Sequence, residues 1–163
     1  MQPIEFIKIC PECGTQLVRY EGQAAYYCPN DMGCPPQIKG KIEHFIARKA
    51  MNIDSLGPET IDSYYNKGLI KDVADLYCLT IDDINEGGAH QKSAKKVIDA
   101  IENSKQVPFD RVLFALGIRF VGETSARLLA RKFSDINSLR NATAAQLLEV
   151  EGVGDIIAAS VVS

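Results

Sequence analysis

No uninterrupted apolar stretch of this sequence approaches the length of a membrane span, and the opening run from Ile4 to Ile9 is broken by Glu5 and Lys8. A secretory signal needs an unbroken apolar segment, and a spanning helix needs about 20 apolar residues. The expectation is therefore a cytoplasmic protein without a membrane partner. A basic excess is missing too: 18 Lys and Arg stand against 21 Asp and Glu, a formal net charge of −3. Residues 1–50 carry six basic and five acidic side chains, 51–108 six and ten, and 109–163 six and six. No general positive field results, so any contact with a polyanion must be local. Cysteine is scarce outside one stretch, with four of the five between residues 10 and 34. In a reducing compartment such clustering points to metal rather than to disulfides.

What is present fits one or two soluble globular domains: 163 residues, 46% hydrophobic and 24% charged. The cysteines are Cys10-Pro11-Glu12-Cys13, then Cys28 and Cys34, a C-x2-C pair, fourteen residues, and a C-x5-C pair. Two thiolates on a tight knuckle, with Gly14 directly after the second, reach one tetrahedral ion, and a second pair completes its shell. The intervening residues read as a β-hairpin: Gln16 to Tyr20, a turn at Glu21-Gly22-Gln23, and Ala24 to Tyr27. So small a segment buries little core, so a structural zinc ion would supply most of its folding free energy. A redox pair at Cys10 and Cys13 is the alternative, but it would not need the second pair. Four thiolates leave no open position for a substrate, which argues against catalytic zinc.

The second half is organised around Val150-Glu151-Gly152-Val153-Gly154-Asp155-Ile156-Ile157-Ala158. Two glycines flanking a small apolar residue allow a tight turn, because they tolerate positive φ and carry no obstructing side chain. A helix starts at once, and its first N–H groups, with the positive end of its dipole, suit a phosphate. The pattern repeats. Ile61, Ala94, Ala126 and Ala158 follow one another at intervals of 33, 32 and 32 residues, each preceded by a comparable stretch: Leu56-Gly57-Pro58, Lys92-Ser93 and Val121-Gly122-Glu123-Thr124-Ser125. A period near 32 used four times marks one supersecondary unit in repetition. It resembles the helix-hairpin-helix motif, a binder of nucleic-acid backbones. An all-helical packing repeat is the bland alternative.

In chain order, Ile38, Ile42, Phe45 and Ile46 form one apolar helical face from Pro36 onward. Lys39, Lys41, Arg48 and Lys49 lie elsewhere, as a solvated face or as phosphate contacts, and His44 among them reads as a packing or hydrogen-bonding residue. Pro58 opens the helix Glu59 to Asn66, which Lys67-Gly68 ends. A further helix is expected over Asp72 to Cys78, with Cys78 a buried small apolar residue. Thr80-Ile81-Asp82-Asp83 caps a short helix before Gly87-Gly88. The second hairpin departs from the pattern, since His90 holds its second glycine position, and Lys92, Lys95 and Lys96 could compensate. Ser104 to Pro108 separates two pairs of motifs. Helices Phe109 to Leu116 and Thr124 to Phe133 flank a third hairpin with Arg119 at its tip, and Thr143 to Gln146 reads as a capping box. The chain stops at Ser163 partway through a helix, as a cut within a larger protein would leave it.

The fold expected is mainly α: a small four-cysteine zinc β-hairpin module over 1–35, a connecting helix over 36–52, and a four-repeat helix-hairpin-helix domain over 53–163, with motifs near 53–68, 84–103, 116–133 and 147–163. Pro35-Pro36-Gln37-Ile38-Lys39-Gly40-Lys41-Ile42-Glu43-His44-Phe45, the run Arg48 to Gly57, Ser93-Ala94 with Ile101 to Lys105, and Leu116 to Glu123 complete a resemblance to bacterial NAD-dependent DNA ligase over nearly the whole chain. The resemblance implies a parent enzyme that seals nicks in duplex DNA in replication and repair. NAD adenylates a lysine, AMP passes to the 5′-phosphate, and the 3′-hydroxyl displaces it. NAD and magnesium would belong to that parent alone, because no lysine here is followed by x-Asp-Gly, the lysine motif of nucleotide transfer. This region would act as a sequence-independent clamp on the minor groove of nicked duplex DNA, beside the adenylation and oligonucleotide-binding domains of the parent. Cys10, Cys13, Cys28 and Cys34 would hold zinc, and Gly57, Gly87, Gly88, Lys92, Arg119, Gly122, Thr124, Gly152 and Gly154 would contact DNA. The other readings are a protein-interaction scaffold, favoured by the acidic middle segment, and a DNA-binding tail of another repair enzyme.

Overall fold

The computed structural model describes residues 6–85 and 91–163, so Gly87, Gly88 and His90 lie outside the described residues. The chain divides into two compact units, Met1–Gly40 and Lys41–Ser163. The division falls within the first helix, α1 (Pro35–Ile46).

In the first unit, two antiparallel bridges, Ile9 with Gln16 and Val18 with Tyr27, are all that appears of the expected β-hairpin among the described residues. Leu17 N–H donates to Lys8 O, and Val18 and Tyr27 exchange both backbone hydrogen bonds at 2.8 Å. Beyond Val18, Tyr20 and Tyr26 are about two-fifths exposed. With no buried face to hold them, the arms pair only where the cysteine knuckles bring them together.

In the second unit the described residues form helices joined by turns, with no strand among them. The segment order is the end of α1, α2 (Pro58–Asn66), a 3-10 turn (Asp75–Cys78), α3 (Ile81–Ile84), α4 (Gln91–Ser104), α5 (Phe109–Ala115), α6 (Glu123–Lys132), α7 (Ile136–Arg140), α8 (Ala144–Leu148) and α9 (Asp155–Val162). Pro58 sits in the first turn of α2, and Gly68, at φ 74, ends it: Leu69 N–H reaches Tyr64 O and Gly68 N–H reaches Tyr65 O, a Schellman pair.

The expected helix over 72–78 is absent. Asp72 Oδ1 accepts from Ala74 N and Asp75 N, and Asp75 Oδ2 accepts from Lys71 N and Asp72 N. Side-chain acceptors that take backbone donors in this way divert the chain into turns. Only one 3-10 turn follows, and it points Leu76 and Leu79 inward, both buried. Cys78 between them is exposed, which corrects the expectation that it is buried.

Ile61, Ala94, Ala126 and Ala158, the residues that set the repeat, are all at most 2% exposed. Each is the fourth residue of its helix, and its burial holds that helix start in place. Leu113, Val121, Ala126, Leu129, Phe133, Leu139, Leu147, Val150, Val153 and Ala158 form one buried cluster beneath α5 to α9. Towards the amino end of the unit, Arg111 Nε donates to Ala50 O at 2.9 Å, and its guanidinium also donates to Arg48 O. At the last turn of α4, Tyr77 donates to Ser104 Oγ at 2.9 Å, while that hydroxyl donates to Ile101 O at 2.6 Å. Ser104 is thereby both buried and satisfied.

Candidate metal centre and nucleic-acid interface

The sulfur atoms of Cys10, Cys13, Cys28 and Cys34 all lie within 4.8 Å of one another. Cys10 and Cys34 are 3.9 Å apart and Cys13 and Cys28 3.5 Å. A tetrahedral zinc site with bonds of about 2.3 Å has sulfur–sulfur edges of roughly 3.8 Å, so the donor set fits zinc in kind, number and spacing. Local backbone chemistry makes the set. Cys10 N–H donates to Thr15 O and Gly14 N–H to Cys10 O, with Gly14 at φ 70, which closes the first knuckle. Cys34 N–H donates to Asn30 O and Gln37 Nε2 donates to Cys28 O, which fixes the second.

The four thiols differ. Thr15 Oγ1 lies 3.2 Å from Cys13 Sγ, and hydrogen bonds from this threonine lower the Cys13 pKa to about 6. Burial raises Cys28 and pushes Cys34, 2% exposed, up to about 12. One thiolate is therefore ready near neutrality, whereas the raised thiols of Cys28 and Cys34 must lose their protons to bind a metal.

Among the described helix starts of the second unit two kinds recur, and α5, behind Pro108, has no side-chain cap either. At α3, α7 and α8 the N-cap residues Thr80, Asp135 and Thr143 each form a capping box, accepting from backbone N–H groups of the first turn. At α2, α6 and α9 the N-caps are Gly57, Gly122 and Gly154, and no side chain caps those N–H groups. These three glycines have φ of −117°, −83° and −95°, extended values open to any residue. A Cβ added at any of them meets nothing within 4 Å. Neither backbone strain nor internal packing therefore demands glycine there, which corrects the expectation that both glycines of a hairpin serve positive φ. Only the earlier one, Gly152 at φ 86, does so.

Lys92, Lys95, Lys96, Arg119, Thr124, Gly152 and Gly154 are exposed. Arg119 sets its guanidinium carbon 5.0 Å from the centre of the Phe120 ring. Lys49 Nζ, 3.2 Å from Glu123 Oε2, and Arg127, 3.4 Å from Oε1, both pair with the carboxylate at the first position of α6. These three, with Asp110, Arg111 and Phe114, line a recess of about 240 Å³. Sequence reasoning placed Lys49 on the surface but did not connect it to the third hairpin. His44 is the hydrogen-bonding residue expected, with Nε2 2.8 Å from Phe114 O. Among the described residues no helix is long and apolar enough to cross a membrane.

Residues 10–35 match the NAD-dependent DNA ligase C4 zinc finger domain, and residues 111–163 match the helix-hairpin-helix motif. Together these define a four-cysteine finger followed by a helix-hairpin-helix region. The chain is 60% identical over 159 residues to the DNA ligase of Phocaeicola vulgatus, covering 97% of this chain and 24% of that protein. It is 58% identical over 163 residues to the DNA ligase of Bacteroides fragilis, with 99% and 24% covered, and 47% identical over 161 residues to that of Porphyromonas gingivalis, with 98% and 24% covered. It carries the zinc finger of NAD-dependent DNA ligases, is similar to these DNA ligases over nearly its whole length, and spans about a quarter of the length of the curated relatives it matches.

Proposed function

We propose that this region holds the sugar–phosphate backbone of duplex DNA across its minor groove, without regard to sequence, for a ligase that seals nicks in replication and repair. The observation that carries the reading is the set of open helix starts. Gly57, Gly122 and Gly154 leave first-turn N–H groups without a side-chain cap and without a Cβ in the space outside them. Phosphate oxygens are acceptors that such donors take, at a helix end whose dipole favours negative charge. Gly152, Thr124, Arg119 and Lys92 would add contacts around the hairpins, and Gly87-Gly88 would serve the second. Contacts made by backbone donors need no basic field, which accords with the net charge of −3.

Zinc is the structural ion of this reading, held by Cys10, Cys13, Cys28 and Cys34, and its bonds would organise a segment with little apolar core of its own. The motifs would fall near 53–68, 84–103, 116–133 and 147–163, behind the zinc module of 1–35 and the linking helix of 36–52. NAD, magnesium and the transfer of AMP would belong to other parts of the ligase, in the cytoplasm, and the adenylation and oligonucleotide-binding domains would be its partners.

The test is fluorescence anisotropy of a labelled duplex, nicked and intact, titrated with the zinc-loaded chain at several salt concentrations. Sequence-indifferent binding is expected, with a log–log salt slope of roughly 0.9 for each phosphate that a lysine or arginine neutralises. A folded, zinc-loaded chain that binds neither duplex at low salt would overturn the reading and favour a protein-interaction scaffold.

A further inference from the structure

The third and fourth hairpins are built on the same turn. Val121 N–H closes on Ile118 O at 3.0 Å, and Val153 N–H closes on Val150 O at 2.9 Å. In each turn the third residue has positive φ, Phe120 at 65° and Gly152 at 86°. Turns of this kind take glycine at that position, because a Cβ is crowded there. The third hairpin carries a phenylalanine instead, and a bulky residue in this region is an outlier whose strain needs a compensating role.

Core packing does not supply that role. Phe120 is 51% exposed, whereas its neighbour Val121 is 6% exposed. Its ring lies under the Arg119 guanidinium, 5.0 Å from carbon to centroid. Two residues further on is Gly122, the uncapped start of α6. Strain, solvent exposure, an adjacent cation and an open helix start coincide at one hairpin tip.

We propose that Phe120 is an apolar wedge, which enters a base step from the minor groove while the start of α6 holds the adjoining phosphate. This rests on the reading of the hairpins as duplex binders. Proteins that grip the minor groove commonly insert Phe, Leu or Met between base steps. The groove also draws in arginine by its negative potential, which suits Arg119. Two residues of chain span at most about 7 Å, so the ring and the phosphate contact fall within one groove edge. The fourth hairpin, with Gly152 at the same position, would follow the backbone alone, so the two tips would have different tasks.

The test pairs stability with binding in Phe120→Gly and Phe120→Leu. Both are compared with the unsubstituted chain by thermal melting, by duplex anisotropy, and by the fluorescence of 2-aminopurine placed at successive positions of the duplex. Phe120→Gly is expected to melt at a higher temperature, because the turn is relieved. It should bind duplex roughly tenfold more weakly, the loss of one base–aromatic contact, and should abolish a 2-aminopurine increase seen with the unsubstituted chain. Its salt slope should be unchanged, since no phosphate contact is lost. Phe120→Leu should keep part of the signal. Unchanged affinity in Phe120→Gly, a lower melting temperature, or duplex binding by the unsubstituted chain without any 2-aminopurine response would each overturn the wedge and leave the backbone clamp standing. Failure of the unsubstituted chain to bind any duplex would overturn both.

Discussion

His44 and Phe114 meet twice: the histidine Nε2 donates to the phenylalanine carbonyl at 2.8 Å, and the two rings lie edge to face with centroids 4.8 Å apart. The pair ties the end of α1 to α5, seventy residues away along the chain. A hydrogen bond contributes about 1 kcal/mol net and an aromatic pair about as much again. His44→Ala should therefore destabilise the second unit by about 2 kcal/mol, and lower its melting temperature by roughly 4–8 °C. A melt within a degree of the unsubstituted chain would show that the contact is incidental.

Metal retention should depend on pH with a definite sign. Cys13 is held near 6 by Thr15, while burial keeps Cys34 near 12. Zinc must displace the Cys34 proton at any ordinary pH, and below about 6 it must displace the Cys13 proton as well. Affinity should fall as pH falls, most steeply below the Cys13 value, and Thr15→Val should move that edge upward. A chromophoric chelator titrated at several pH values reads this directly. Affinity independent of pH would exclude thiolate ligation.

Substitution at the open helix starts separates fold from binding. Gly154 has ordinary extended φ and open space where a Cβ would stand, so Gly154→Val should cost no more than about 1 kcal/mol, the difference in N-cap preference. Duplex binding should weaken by roughly tenfold, because the new side chain occupies the approach to the N–H groups. Gly154→Ser makes the sharper comparison. Its hydroxyl should cap α9, which stabilises the helix by a few tenths of a kcal/mol, and should weaken binding by taking the same donors. Equal affinity in both variants would remove α9 from the interface.

Glu123 works against an anion at the start of α6. Its carboxylate, paired with Lys49 and Arg127, stands in the first turn where a phosphate would lie. Glu123→Gln should release both cations and remove one repulsion, so duplex affinity should rise several-fold at low salt and the gain should fade as salt screens it. Lower affinity in this variant would mean that the carboxylate orders the cations for binding.

The helices were legible where their ends carry chemical signals. Pro58 and Gly68 bracket α2, Thr143 and Gln146 open α8, and the 32-residue spacing fixed which residues turn inward. α7 was missed although Asp135 and Ser138 form a capping box, because the signal is short and lacks the glutamate or glutamine of the usual pattern. The helix expected over 72–78 does not form because Asp72 and Asp75 take the backbone donors for themselves, a competition that depends on the local turn. Phe120 was hidden for a related reason: its place is set by the turn it shares with Gly152, and residue type alone argues against it.

The two kinds of helix start also divide the amide hydrogens of this chain by how quickly they should trade with solvent deuterium. Those in the first turns of α3, α7 and α8 are engaged by Thr80, Asp135 and Thr143, whereas those at the starts of α2, α6 and α9 have no such side-chain partner. The bare molecule thus holds three glycine-capped patches that should exchange fast, each about a turn long, beside the start of α5, which Pro108 also leaves without a side-chain cap. A bound polyanion would slow those patches and leave the capped ones as they were, so the edge that meets DNA could be outlined from the protein alone, residue by residue, without a label on the nucleic acid.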